Sequence, residues 1–196
     1  MYHKHHTEGI VLASVSESTD NKRLILLTKD LGVVFAQVKS ARNAASKLKP
    51  GIQEYSFGEY SLLHGKIGWR CVSVRTLGNY YELVRNDPEK ITVLSRVLKL
   101  LRTIMTGEEP NQNIFEIVEN FLKRLVGAEA RELSLLESLV LSRILFELGF
   151  LRHEEKFHTL VSRSSIEKQD LTEVDTHRTM LIKLINEALK AAEIRT

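Results

Sequence analysis

What the chain lacks narrows its chemistry first. Cys71 is the single cysteine, so an internal disulfide is excluded, as is any site built from two or more thiolates. A reducing cytoplasm is the expected compartment. No apolar run reaches the roughly 18 residues that a membrane span needs, so no membrane partner is expected. The opening Met1-Tyr2-His3-Lys4-His5-His6 has no apolar stretch behind its charge, so no secretory signal is expected either. There is no glycine-rich phosphate loop, no nucleophile elbow and no His-Glu-x-x-His pattern. Cys71 alternates with valines, which reads as a small buried strand residue and not as a nucleophile. Glu108-Glu109 and Glu154-Glu155 fall at turns, where solvated charge is the default. No catalytic residue, enzyme activity or cofactor is expected.

Histidines give no metal site. His3, His5 and His6 read as a solvated, frayed terminus. His153, Glu154, Glu155 and His158 are ligand types without a recognised zinc spacing. Internal repeats and low-complexity stretches are also missing.

What is there is a 196-residue chain with 43% hydrophobic and 27% charged residues, enough for one large domain or two small ones. Its charge is unevenly placed. Residues 1–86 hold 12 lysines and arginines against 7 carboxylates, and residues 87–196 hold 16 against 18. A basic first half points to an anionic partner such as nucleic acid.

That first half reads as strands: Gly9 to Ala13, Arg23 to Thr28, Val33 to Val38, Ser56 to Leu63 and Ile67 to Leu77. In the last, Trp69, Cys71 and Ser73 should share one face, and Arg70, Val72 and Val74 the other. Five short strands suggest a closed barrel, because closure removes exposed edges. The predicted fold class is α+β: a five-stranded OB-fold barrel over residues 1–85, followed by an all-α domain over 86–196.

The second half has helical period. Asp87-Pro88 is a helix start, with Leu94, Val97, Leu98, Leu101 and Met105 on one face. Asn113 with Glu116 predicts the cap of a second helix ending near Gly127. Glu129 to Leu148 is apolar almost all round, which predicts the buried centre of a bundle. Residues 150–174 have no clear period, and a last helix covers about Thr176 to Glu193.

Lys39 to Gly51 breaks the strand pattern and reads as a long loop or short helix. Lys39, Arg42, Lys47 and Lys49 lie within 11 residues there, with no carboxylate between Asp30 and Glu54. Lys22 and Arg23 begin the second strand, and Lys66, Arg70 and Arg75 lie on or near the fifth. Such cations on a barrel neutralise phosphates in a salt-sensitive, sequence-independent way. Taken alone, the loop reads equally well as a solvated surface. Phe35, Tyr55, Phe57, Tyr60 and Trp69 are the aromatic candidates for stacking on bases.

These pieces, in this order, resemble the RecO family of recombination mediators. Glu8-Gly9-Ile10-Val11-Leu12 is similar to the family's opening strand, and Leu27-Thr28-Lys29-Asp30-Leu31-Gly32 to its second strand and turn. Val38-Lys39-Ser40-Ala41-Arg42 and the stretch from Ser46 to Gly51 resemble its Lys-Gly-Ala-Arg loop and following basic residues. Gln53-Glu54-Tyr55-Ser56, Gly107 to Asn111 with Phe115, and Phe146 to Phe150 resemble further family segments. The likeness is good over residues 8–82 and fair over 88–151.

The resemblance implies an OB-fold and a helical domain in a cytoplasmic, nucleoid-associated protein. It implies binding of single- and double-stranded DNA, strand annealing, and help in loading RecA. The implied partners are RecR and the acidic C-terminal tail of single-strand-binding protein, with RecA served indirectly. The expected DNA-binding residues are Lys22, Arg23, Lys39, Arg42, Lys47, Lys49, Lys66 and Arg70. Arg102, Arg131 and Arg143 are the expected partner-binding residues. Many family members carry a zinc-binding cysteine cluster after the central helix. Leu151-Arg152-His153-Glu154-Glu155 stands there without a cysteine, so a short form that binds no metal is expected. Two other classes stay open: a general OB-fold nucleic-acid module, and an interaction adaptor that binds no DNA.

Overall fold

The computed structural model describes all residues except 1, 2, 18, 40, 42–47, 106, 152–154 and 193–196, and only the backbone of Glu155. Five strands come first: β1 (His3–Ser16), β2 (Lys22–Thr28), β3 (Gly32–Val38), β4 (Ser56–Gly65) and β5 (Gly68–Asn79). They form a closed barrel in the order β1-β2-β3-β5-β4. β1 is long enough to pair with β4 through its first half and with β2 through its second, bending at a register shift between Val11 and Ala13. A short parallel pairing of β3 with β5 completes the ring. This is the OB-fold.

Alternation explains the inside of the barrel. On β3, Val34, Ala36 and Val38 are buried while Phe35 and Gln37 lie on the outer face. The core gathers Val11, Leu24, Leu26, Tyr60, Leu62 and Cys71. Each large apolar side chain buried this way stabilises the fold by about 1.5–3 kcal/mol. Burial pushes the Cys71 thiol up to about 12. It also drives the Tyr60 phenol well above its ordinary value, while its hydroxyl donates to the Gly51 carbonyl at 2.7 Å. Gly51 belongs to a 3-10 turn, Lys49–Ile52, that seats Ile52 in the same core.

Two sequence expectations are corrected here. His3 to His6 are not frayed; they pair with His64 to Ser61 on β4. The alternation along β5 fails at Val72, where Ser61 pairs with Ser73 but Leu62 pairs with Cys71. That extra residue reverses the phase, so Ser73 is exposed and Val74 packs against the core.

The first compact unit comprises Met1–Leu83 together with Met105–Gln112. The second stretch lies on the β2–β3 turn, where the Val33 N–H donates to the Gly107 carbonyl at 3.1 Å. Gly32 has φ +70 there, and a Cβ on it would fall 2.4 Å from the Glu109 carbonyl oxygen. Only glycine fits that contact.

The second unit, Val84–Ile104 and Asn113–Thr196, is helical. Its elements follow α1 (Tyr80–Val84): α2 (Pro88–Ile104), α3 (Gln112–Val126), α4 (Ala130–Glu147), α5 (Glu155–Val161), α6 (Lys168–Thr176) and α7 (Arg178–Ala191). Asp87 caps α2, accepting from the N–H groups of Glu89 and Lys90, both at 3.1 Å. Asn113 is not a cap. It lies inside the first turn of α3, where its amide donates to Glu147 at 3.1 Å. α4 is central, packing against α2, α5, α6 and α7. Among the described residues no helix is long and apolar enough to cross a membrane.

Residues 150–174, which carry no period, hold α5 and α6, helices too short to show one. Arg143 on α4 organises this stretch. It is 0% exposed. Its Nε donates to the Leu160 carbonyl at 3.0 Å, Nη1 to the Ser165 carbonyl at 2.6 Å, and Nη2 to Asp170 Oδ2 at 3.0 Å. Asp170 also accepts the Glu167 N–H at 3.0 Å and so caps α6. Arg143 is therefore not a partner-binding residue, because its donors are spent inside the protein.

Removing one member of a buried, hydrogen-bonded pair leaves the other charge uncompensated, at a cost of about 3–5 kcal/mol. Arg143→Met is expected to lower the urea midpoint of the full chain, followed by circular dichroism at 222 nm. Arg143→Met/Asp170→Leu should recover part of that loss; a double variant no better than the single would contradict the pairing. The raised thiol gives a second prediction. At pH 8, below a folded pKa of about 12, Cys71 is overwhelmingly protonated as well as buried. A disulfide reagent should label it slowly in the native protein and rapidly in urea; equal rates would refute the buried thiol.

Candidate nucleic-acid interface

Strand register builds the site. Arg23 on β2 pairs with Gln37 on β3, and Gln37 pairs with Arg70 on β5. These three side chains form a row across the outer face of the sheet. Phe35 stands two residues from Gln37 on the same face and is 51% exposed. Lys39 continues that face at the end of β3. The β4–β5 turn brings Lys66 and Ile67 alongside, with Gly68 at φ +99 supplying the left-handed residue that a hairpin of this length needs.

Together these residues line a groove of about 740 Å³. Trp69 lies in its wall, only 8% exposed, with His5 and His64 rings 5.2 and 4.7 Å from its own. The Trp69 indole N–H is buried without a hydrogen-bond partner among the described residues. Four cations line the groove (Arg23, Lys39, Lys66 and Arg70) against two carboxylates, Glu17 and Glu108. Glu17 is engaged: Gln37 donates to it at 2.9 Å and Arg23 is ion-paired with it. Those hydrogen bonds, Gln37's first, hold its carboxyl below the usual range.

Other sequence candidates lie elsewhere. Lys22 takes the opposite phase to Arg23 and donates to the Ser14 hydroxyl at 3.3 Å. Lys49 is exposed on the 3-10 turn and does not line the groove. Arg42 and Lys47 lie outside the described residues. Arg75 is paired with Glu59, and nearby Lys29 with Glu8 at 3.3 Å, so that side of the barrel is self-neutralised. Of the aromatic candidates, Tyr60 and Phe57 are buried with Trp69, and Tyr55 is half-buried. Phe35 alone of the five is exposed.

Sequence reading missed Ile67, Gln37 and Glu17 as groove residues. The signal for Ile67 was present: a bulky apolar residue in a turn between two glycines.

The helical unit has a groove of its own, about 610 Å³, with Arg131 on its rim beside Arg124, Lys168 and Arg178. Leu135 and Leu171 supply apolar surface. Arg131 is paired with Glu129 at 2.9 Å and Arg124 with Glu132 at 2.6 Å. Arg102, exposed in the last turn of α2, does not line this groove. Among the described residues no cluster of three or more histidine, cysteine or carboxylate side chains is placed to hold a metal ion. His153 and Glu154 lie outside the described residues.

No protein-family model matches the chain. Curated relatives do. The DNA repair protein RecO of Acetivibrio thermocellus is 24% identical over 144 residues, 74% of this chain and 57% of that protein. The DNA repair protein RecO of Alkaliphilus metalliredigens is 25% identical over 112 residues, 57% of this chain and 45% of that protein. That of Clostridium novyi is 26% identical over 110 residues, covering 56% and 43%. The chain thus spans about half the length of the curated relatives it matches. With a barrel of OB topology followed by a helical unit, the chain is similar in sequence to DNA repair proteins RecO of several bacteria.

Proposed function

We propose that this protein acts in DNA repair and recombination by binding DNA along the β2-β3-β5 face of its barrel. The observation that carries the reading is the outward row Arg23–Gln37–Arg70, flanked by Lys39 and Lys66 and set beside the exposed ring of Phe35. Cations on such a face neutralise phosphates, and an exposed ring accepts a base by stacking. Oligonucleotide-binding barrels use this strand face and the neighbouring β1–β2 and β4–β5 loops. Lys22, Lys49, Arg42 and Lys47 are further expected DNA contacts.

Screening the phosphates of one strand lets a complementary strand approach, so annealing needs no bond broken and no catalytic residue. The expected contribution to recombination is annealing of single strands, binding of duplex beside them, and help with RecA loading together with RecR. The helical groove supports a second contact. Its lining, four cations against Glu129, Glu132 and Asp175 with Leu135 beside them, is weakly cationic and suits an acidic peptide with apolar residues, such as the tail of single-strand-binding protein. Arg131 is the expected residue there, and Arg102 a further cation on the same unit.

Anisotropy of a labelled single-stranded oligonucleotide, titrated at several salt concentrations, tests the reading. For single strands the slope of log K against log salt changes by about 0.7 per phosphate contact. Lys39→Glu/Lys66→Glu/Arg70→Glu should therefore flatten the slope by about 2 and weaken binding at every salt concentration. No binding by the folded wild type at low salt would leave the adaptor reading instead. Glu17→Gln should act in the opposite direction. It removes a carboxylate that occupies Arg23, so binding should tighten severalfold; unchanged or weaker binding would show that Glu17 does not compete with phosphate.

A further inference from the structure

Ile67 is 92% exposed, the most exposed large apolar side chain among the described residues. Its place is unusual. Two-residue turns favour glycine, asparagine, aspartate and serine, and a β-branched side chain gains nothing from standing in water. Single exposed apolar residues are common on protein surfaces. This one differs in its surroundings: Gly65 and Gly68 flank the turn without side chains, Lys66 precedes it, and Phe35, Leu63 and Arg70 line the same groove. A stiff, branched, apolar tip is thus set between cations and beside an exposed aromatic ring.

Resting on the nucleic-acid reading of this groove, we propose that Ile67 is a wedge that inserts between two neighbouring bases of the bound single strand. Apolar side chains part the base steps of duplex DNA by such insertion in other nucleic-acid-binding proteins. Lys66 and Arg70, on either side of the tip, hold the phosphates that span the parted step. One of the two bases comes to rest on Phe35. The χ1 stiffness of isoleucine suits the task, because little side-chain freedom is lost on insertion. A parted step presents the pairing edges of its bases to an incoming strand instead of leaving them in a continuous stack. The groove would then prepare a strand for pairing as well as hold it.

The test uses the full chain and an adenine-rich single strand carrying 2-aminopurine, whose fluorescence rises when it is unstacked. Anisotropy of a second label on the same strand fixes saturation. Wild type is expected to raise the 2-aminopurine signal severalfold at saturation. Ile67→Leu should keep most of that rise. Ile67→Ser should lose it at equal saturation while the salt slope stays unchanged, because no cation is removed. A signal that does not rise on wild-type binding, or rises equally with Ile67→Ser, overturns the wedge and leaves the groove intact as a binding site. Absence of binding by wild type overturns both. Full exposure of Ile67 keeps the variants folded, which circular dichroism checks directly.

Discussion

The barrel closes on two pairs of residues, and the candidate interface depends on them. β3 and β5 run parallel through Ala36 with Trp69 and Gln37 with Arg70. The first pair turns inward: a small side chain on β3 stands beside the large one on β5, and both belong to the barrel core. The second turns outward and joins the row that begins at Arg23. If this pairing were absent, both strands would present open edges, and Arg70, Lys66 and Ile67 would have no fixed place beside Phe35 and Lys39. One short contact therefore sets the closure of the core and the composition of the groove.

Local pattern revealed the parts that local physics decides. From Val34 to Val38, β3 alternates because its inner face is buried and its outer face is not. α2 is long enough to display its period, α4 announces itself by an apolar surface almost all round, and Asp87 caps α2 by chemistry that its own sequence announces. What stayed hidden depends on distant partners. The pairing of His3 to His6 needs β4, which lies more than fifty residues away, and histidines and a lysine give no strand signal by themselves. The bulge at Val72 is invisible because the extra residue looks like any other valine. Arg143 reads as a surface cation until its three acceptors are folded around it.

Groove residues were legible by type but not by selection. Lysines and arginines marked the barrel as basic, yet neighbours as close as Lys22 and Arg23 take opposite phases. The acidic partner of Arg23, Glu17, lies across a turn. In the helical unit, Arg143 ties the chain from Leu160 to Asp170 against α4.

The pairing of His3 with His64 has a practical side. His64 is followed directly by the turn that carries Lys66 and Ile67, so the His3 end of β1 lies beside that turn. An affinity tag or fluorescent fusion joined at that end would sit at the mouth of the groove. A polyhistidine tag there would add imidazoles next to His3, His5 and His64 and could itself attract an anionic ligand in mildly acidic buffer.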